Sequence, residues 1–174
     1  MKMRIKLLSM TAALLVILGL LGGAASAATI PGVPITGTFT DSHGGTGHFV
    51  GTFNIQNFSV VSGKLKAVGT LVGTLTDSTN AVVGTVASGN VRMPLSLASG
   101  ATCQILHLVL GPLSLNLLGL QVNLNKVILD ITAQSGSGNL LGNLLCDIAN
   151  LLNGGTPSLD SIVNLLNKLI GLLG

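Results

Sequence analysis

Apolar and polar residues alternate over residues 105–133, which is the pattern of half-buried β-strands rather than of a helix. The apolar residues switch between even and odd positions three times, which divides them into four sets: Leu106, Leu108 and Leu110; Leu113, Leu115 and Leu117; Leu118, Leu120, Val122 and Leu124; and Val127, Leu129, Ile131 and Ala133. Each change of side requires a turn or a bulge. Gly111-Pro112 and Asn125-Lys126 fit turns, whereas Leu117-Leu118 predicts a bulge or bend.

A membrane-spanning helix is the alternative for this stretch, because no Asp, Glu, Lys or Arg lies between Arg92 and Lys126. In a helix turning about 100° per residue, however, Ser114 and Asn116 would lie on nearly opposite sides. Pro112 would also remove a hydrogen bond in the middle of such a helix. The pattern therefore favours short antiparallel strands.

The N-terminal half shows the same alternation with other residues. Over residues 63–75, leucine, alanine and glycine occupy the odd positions, and lysine and threonine recur at the even ones. This predicts one long strand whose inner face is small and apolar, with glycines that allow bending or close packing. Turn-forming residues at 42–47, at 77–80 and near 88–90 separate the strands. The predicted fold is mainly β, an antiparallel sandwich or a small barrel-like meander.

After Gly136 the hydrophobic period changes to about 3.6 residues, which predicts two amphipathic helices within residues 139–174. Gly154-Gly155 ends the first helix, and the second is expected to begin with Thr156 as N-cap and Pro157 at its first position. Both helices are expected to pack on an apolar part of the sheet. A surface-active tail is the alternative, but it usually has a polar face rich in Lys and Arg.

The first residues have the composition of a secretory signal peptide. Lys2, Arg4 and Lys6 precede an apolar run over residues 7–21, and Ala25-Ser26-Ala27 supplies small residues for a signal peptidase. We therefore predict a signal peptide over residues 1–27, with cleavage after Ala27. An uncleaved N-terminal anchor is the alternative.

Removal of the leader also changes the charge of the chain. The whole sequence has a net charge of +3. Without residues 1–27 the numbers of basic and acidic residues are equal, so the net charge is zero: Lys64, Lys66, Arg92, Lys126 and Lys168 balance Asp41, Asp77, Asp130, Asp147 and Asp160. No basic patch is left to bind nucleic acid. Residues 28–174 are expected to form a single secreted domain, with a β region over 28–135 and a helical segment over 139–174.

Two cysteines carry the most specific structural signal. Cys103 precedes the leucine-rich strands and Cys146 lies in the first predicted helix, and an exported chain most simply pairs them. On a helical wheel Cys146 lies about 170° from the centre of the apolar arc, on the side of Gly142 and Ala149. This helix is therefore expected to be packed on two sides, or to turn its leucines towards the second helix.

Residues 103–152 resemble a group of uncharacterised secreted bacterial proteins. The shared motifs are C-Q-I-L-H-L, G-P-L, N-L-L-G-L, L-D-I-T-A and G-N-L-L-G-N-L-L-C, and they cover about a third of residues 28–174. Both cysteines lie within them, which supports a disulfide between Cys103 and Cys146. The resemblance implies export and a common fold, but it brings no activity, ligand or catalytic residue.

The main candidates for chemistry lie in TDSHGGTGH, residues 40–48. A catalytic triad of neighbouring residues is disfavoured because successive strand side chains point to opposite faces. Asp41, His43 and His48 are weak candidates for metal ligands across a hairpin, and a glycine-rich turn with solvated side chains is the preferred interpretation. His107 alternates with leucines, so we interpret it as a solvated or hydrogen-bonded strand residue.

The residue types and motifs in the rest of the chain favour a protein without catalytic activity. The chain contains no Glu or Tyr and no P-loop, dinucleotide-binding glycine pattern, CxxC or HExxH motif, and we expect no cofactor. A secreted structural or interaction protein with a protein or cell-surface partner is the favoured class. A carrier of a hydrophobic small molecule or lipid in a leucine-lined interior is the alternative. An enzyme and a membrane-active factor are less favoured.

Overall fold

The computed structural model describes residues 30–98, 101 and 103–174. The predicted signal peptide and its cleavage site after Ala27 lie outside these residues. The elements are β1 (Ile30–Thr40), β2 (Thr46–Val61), β3 (Lys64–Thr76), β4 (Val82–Leu97), β5 (Ile105–Leu110), β6 (Leu113–Leu117), β7 (Leu120–Leu124), β8 (Val127–Thr132), α1 (Leu140–Asn153) and α2 (Leu159–Leu173). This confirms the mainly β fold with two C-terminal helices.

All eight strands belong to one open antiparallel sheet in the order β6-β7-β1-β2-β3-β4-β5-β8. The meander β1 to β4 forms its centre, β5 and β8 extend one side, and the β6–β7 hairpin pairs with β1 on the other. β6 also approaches β4, and β8 approaches β1. The sheet therefore folds over on itself around an apolar interior, as predicted for a sandwich-like or barrel-like meander.

Alternation along the long central strands produces the core. Phe49 and Phe53 of β2 are fully buried and lie opposite Leu75 and Leu71 of β3, while β-branched threonine and valine occupy the other face. The largest fully buried side chains are Phe49, Phe53, Phe58, Ile35, Ile55, Leu71, Leu75, Met93, Leu106, Leu108, Leu110 and Leu124. Three of them come from β5, so the first leucine set of the sequence lies inside as expected.

Glycines in the sheet make room for the aromatic rings. Gly51 of β2 lies directly opposite Gly73 of β3, and a Cβ atom at Gly73 would lie 2.5 Å from Cζ of Phe49. The ring can cover these two residues only because neither has a side chain. The close packing predicted from the glycines of β3 is confirmed at this position.

One predicted turn, near residues 88–90, is instead a bulge within β4. Gly69 of β3 pairs with Val91, whereas Leu71 pairs with Ser88, so two residues of β4 face one of β3. Asn90 has a φ of 57°, a conformation that Asn tolerates better than most residues. The turn-forming residues bend the strand without ending it, and that part of the prediction was wrong.

A second correction concerns Leu117-Leu118, which we predicted as a bulge or bend. Leu118 and Gly119 form a two-residue hairpin turn with φ angles of 54° and 83°, and Leu117 pairs with Leu120 across it. Positive φ at both positions is typical of a type I′ turn, where leucine is rarely found. Leu118 is 63% exposed, so it does not belong to the apolar set that continues from Leu120 to Leu124.

The helix boundaries are partly as predicted. α1 ends at Asn153 with Gly154 as its C-cap, but α2 begins two residues later than expected. Ser158 is the N-cap, and its hydroxyl accepts a hydrogen bond from the backbone N–H of Ser161. Thr156 and Pro157 therefore lie before the helix, because Ser158 supplies the cap that was assigned to Thr156.

The second helix is fixed to the sheet by Asn167 as well as by its apolar face. α2 packs on β2 and β3. Within the described residues, β1 pairs with β2 up to Ile30 opposite Ile55, and further along β2 the backbone groups of Phe58 point to Asn167. The Asn167 side chain accepts from the Phe58 N–H at 2.7 Å and donates to its C=O at 3.0 Å. An amide side chain thus takes the place of a neighbouring strand.

Asn167→Ala is expected to lower the free energy of unfolding by about 2 kcal/mol, because it leaves a part-buried N–H and C=O without partners. Asn164→Ala is the matched control, since Asn164 is an exposed residue of the same helix, and its expected effect is within about 0.5 kcal/mol. Urea unfolding followed by circular dichroism gives both values. Equal effects of the two substitutions would show that the two hydrogen bonds do not stabilise the fold.

Candidate functional site

The hairpin turns β1–β2 and β3–β4 have the same construction. Residues 40–45 read TDSHGG and residues 76–81 read TDSTNA. In each turn the Asp N–H donates at 2.9 Å to the carbonyl four residues on, and the Asp carboxylate accepts from the N–H groups two and four residues on, at 2.8 to 2.9 Å. Such Asp-centred turns are a local solution to the backbone hydrogen bonds of a loop. The T-D-S that occurs at residues 40–42 and again at 76–78 is the sequence feature from which the shared turn could be predicted.

Asp41 also joins the two turns. Its Oδ2 accepts from the backbone N–H of Ser78 at 2.9 Å and from the Ser78 hydroxyl at 2.6 Å, while its Oδ1 accepts from His43 N–H and Gly45 N–H. The hydrogen bond from the Ser78 hydroxyl, followed by the three backbone N–H groups, holds the pKa of Asp41 well below its usual range. Asp41 is the residue that ties the hairpin ends together.

The three weak metal candidates do not converge. Both carboxylate oxygens of Asp41 face hydrogen-bond donors, His43 is exposed with its Nδ1 3.4 Å from the Ser42 hydroxyl, and His48 is an exposed strand residue opposite Thr38. Across the described parts of the chain, no three His, Cys, Asp or Glu side chains are grouped so that they could hold a metal ion. The geometry is that of a hydrogen-bonded turn.

Acid is expected to weaken the fold through Asp41. Because its pKa is lowered in the folded protein, the carboxylate contributes stability at pH values above the ordinary Asp pKa of 3.8, and this contribution is lost as the pH falls towards the folded-state pKa. The thermal midpoint of Asp41→Asn is expected to be lower than that of the unmodified protein at pH 7 and to change less on acidification. Asp160→Asn, at an exposed carboxylate of α2, should retain the normal acid response. An unchanged acid response of Asp41→Asn would contradict the role of this carboxylate.

His107 is a hydrogen-bonded strand residue, as predicted. It lies opposite Asp130 in the β5–β8 register, with Nδ1 2.6 Å from Oδ1 of the carboxylate. Both side chains are on the solvent side, with 32% and 54% of their surfaces exposed. Cross-strand pairs of this kind stabilise the sheet modestly.

Cys103 and Cys146 form a disulfide, with their Cα atoms 4.0 Å apart. The bond joins the segment before β5 to the back of α1. On the same side of α1, Gly142 lies so close to the carbonyl of Gln134 that a Cβ atom there would clash with it. The apolar side of α1 packs against α2. The prediction that this helix is packed on two sides is therefore confirmed.

Next to the β1–β2 and β3–β4 turns, the side of β1 to β4 that points away from the core carries no Asp, Glu, Lys or Arg, and we call this part, with the adjoining residues of β6 and β7, the outer face. Lys64, Lys66 and Arg92 lie on the same side of the sheet at the other end of β3 and β4, outside this face. Its residues form three rows across the strands: Thr36, Val50, Thr74 and Thr85; Pro34, Thr52, Val72 and Ala87; and Ser114, Asn123, Thr38, His48 and Thr76. His48 is the only titratable residue in these rows. Val50 is 62% exposed, so the face offers hydroxyl and methyl groups to solvent.

Two open clefts on the surface are further candidate sites. One of about 450 Å³ is lined by Gln104, Ile105 and residues 132–134. Another of about 470 Å³ lies between the helices and is lined by Leu140, Asn143, Leu144, Asp147, Lys168, Gly171 and Leu172. Within the described residues, no helix has the length and hydropathy needed to cross a membrane.

No protein-family model matches the chain, and comparison with curated proteins and with solved structures gives no match. The resemblance of residues 103–152 to secreted bacterial proteins therefore stays a prediction.

Proposed function

We propose that this chain is a secreted structural or interaction protein that acts by presenting its outer face to a partner and has no catalytic activity. The observation that carries the proposal is the composition of that face. Three cross-strand rows on a continuous sheet offer threonine, valine and small side chains, and only His48 among them can carry a charge. A neutral protein or cell-surface polymer fits such a face, whereas nucleic acid would require basic residues.

The filled interior supports this function over that of a carrier. A carrier needs an apolar cavity of several hundred Å³. Phe49, Phe53 and Leu71 occupy the middle of the sheet with no exposed surface, and the β5 leucines that would line such a cavity are at most 1% exposed. The leucines thus serve as core.

The reactive side chains support a protein without catalytic activity. The carboxylate of Asp41 is used by four hydrogen-bond donors, and His107 is paired with Asp130. A general base must reach the proton that it removes. His48 has no carboxylate beside it in its cross-strand row, where its neighbours are Thr38 and Thr76.

Export is the other part of the proposal, and the disulfide supports it because such bonds persist mainly outside the cytosol. Protein recovered from the culture medium of its host is expected to begin at Ala28 and to contain no free thiol. N-terminal sequencing and thiol titration measure both properties. Retention of residues 1–27 on the recovered protein would contradict the predicted cleavage.

The interaction itself is tested by photocrosslinking in the secreting host. A benzophenone side chain is placed at Val50 or Thr85 on the outer face and, as a control, at Ile128, an exposed residue of β8 outside this face. The proposal predicts a crosslinked partner from the two outer-face positions and not from Ile128. No product from the outer face, or an equal yield from Ile128, would contradict it.

A further inference from the structure

The two helices leave an open apolar groove at one end of their hairpin. α1 contributes Leu140 and Leu144 near its start, and α2 contributes Gly171 and Leu172 near its end. The groove has a volume of about 470 Å³. At this end the helices leave apolar surface that the sheet does not cover.

Exposed leucines are concentrated around this groove. Of the lining leucines, Leu140 is 69% exposed and Leu172 45%, and Leu173, which follows Leu172 at the end of α2, is 39% exposed. They are three of the eight large apolar side chains that are exposed in the described part of the chain. Single exposed leucines are ordinary on protein surfaces, but a cluster beside a groove marks an interaction site.

The charges on the two walls of the groove are complementary to each other. Asp147 lies on the α1 wall and Lys168 on the α2 wall. Both side chains are exposed, and neither has an oppositely charged partner within 4 Å in the part of the chain that the structure describes. The groove therefore offers one unpaired acid and one unpaired base around an apolar floor.

We propose that a second copy of this chain occupies the groove, with the two helix hairpins related by a two-fold axis. In such an interface residue i of one copy contacts residue j of the other, and j contacts i. Asp147 of each copy then faces Lys168 of the other, so one surface supplies two ion pairs. The exposed leucines of the two copies cover each other between these pairs.

The overall charge favours this occupant as well. Residues 28–174 contain five basic and five acidic residues, so two copies approach without net electrostatic repulsion. A membrane surface is a poorer match, because interfacial helices usually have a polar face rich in Lys and Arg. The dimer adds a second surface to the proposed interaction function and does not depend on the outer face.

Substitutions of Gly171 test the proposed dimer directly. A Cβ atom at this position would meet nothing within 4 Å, so both Gly171→Ala and Gly171→Arg are compatible with the fold. Sedimentation velocity over roughly 1 to 300 μM covers the affinities of transient dimers. The unmodified protein and Gly171→Ala are expected to dimerise, whereas Gly171→Arg, which fills the groove, is expected to stay a monomer. Circular dichroism checks that both variants are folded.

Charge reversal identifies the occupant. Asp147→Lys or Lys168→Asp alone would place like charges opposite each other at both ends of the interface, and we expect each to weaken the dimer about tenfold. The double substitution restores opposite charges in a symmetric dimer and should restore the affinity. A monomer at every concentration, a dimer unaffected by Gly171→Arg, or no rescue by the double substitution would overturn the proposal. Photocrosslinking at the outer face tests the proposed function independently of these results.

Discussion

Replacement of both cysteines, Cys103→Ser with Cys146→Ser, is expected to lower the free energy of unfolding by about 4 kcal/mol. The disulfide closes a loop with a sequence separation of 43 residues, and the loss of that constraint on the unfolded chain gives an effect on the order of 4 kcal/mol. The substitution also releases the back of α1 from the segment before β5. Chemical unfolding of the oxidised protein and of the double variant measures the difference.

The unmodified protein in reductant is the matched control for this prediction. Reduction should bring its stability close to that of the double variant, and reductant should not change the double variant itself. If reduction left the unfolding midpoint of the unmodified protein unchanged, the disulfide would not be a major source of stability.

Phe53→Ala is expected to destabilise the protein by about 3 to 5 kcal/mol, because it removes a fully buried ring from the middle of the sheet and leaves a cavity. The ring lies opposite Leu71 of β3, where no solvent reaches. Urea or thermal unfolding measures the loss of stability.

Val50→Ala is the matched control on the same strand. Val50 is 62% exposed on the outer face, and its substitution is expected to change the stability by less than about 0.5 kcal/mol. A Phe53→Ala effect as small as that of Val50→Ala would mean that the interior is loosely packed. Such a result would favour a carrier over an interaction protein.

Hydrophobic patterning was sufficient to predict most of the fold. The parity of the apolar residues assigned the leucines of β5, β6, β7 and β8 to the core side, and the change of period after Gly136 located two helices. These features were predictable because burial of one face is a property of each strand or helix taken alone. The turns at Gly111-Pro112 and Asn125-Lys126 were found where the parity changed.

The errors arose where local residue preferences gave the wrong signal. Leu118 adopts a positive φ in a hairpin turn, a conformation that is rare for leucine and that its residue preferences do not predict. Gly89-Asn90 has the composition of a turn, but it forms a bulge because β3 continues on both sides of it. Thr156-Pro157 has the composition of a helix start, yet Ser158 two residues later provides the cap.

The side-chain contacts of the candidate sites could not be predicted from the sequence as the strands and helices could. Pairing of His107 with Asp130 depends on the β5–β8 register, and Asn167 bonds to a residue 109 positions away. Asp41 was considered as a metal ligand, whereas its contacts with Ser78 depend on two hairpin turns lying side by side. Such contacts follow from strand order and register, which the pattern of apolar residues does not specify.

Native mass spectrometry of the protein collected from its own secretion medium tests the central claim most directly, namely that the leucine-lined interior is filled by side chains and the chain acts through its surface. The predicted result is the mass of residues 28–174 with one disulfide, as monomer or dimer, without a bound apolar molecule. A lipid or other apolar molecule retained at about one equivalent per chain would contradict the account and would identify the protein as a carrier.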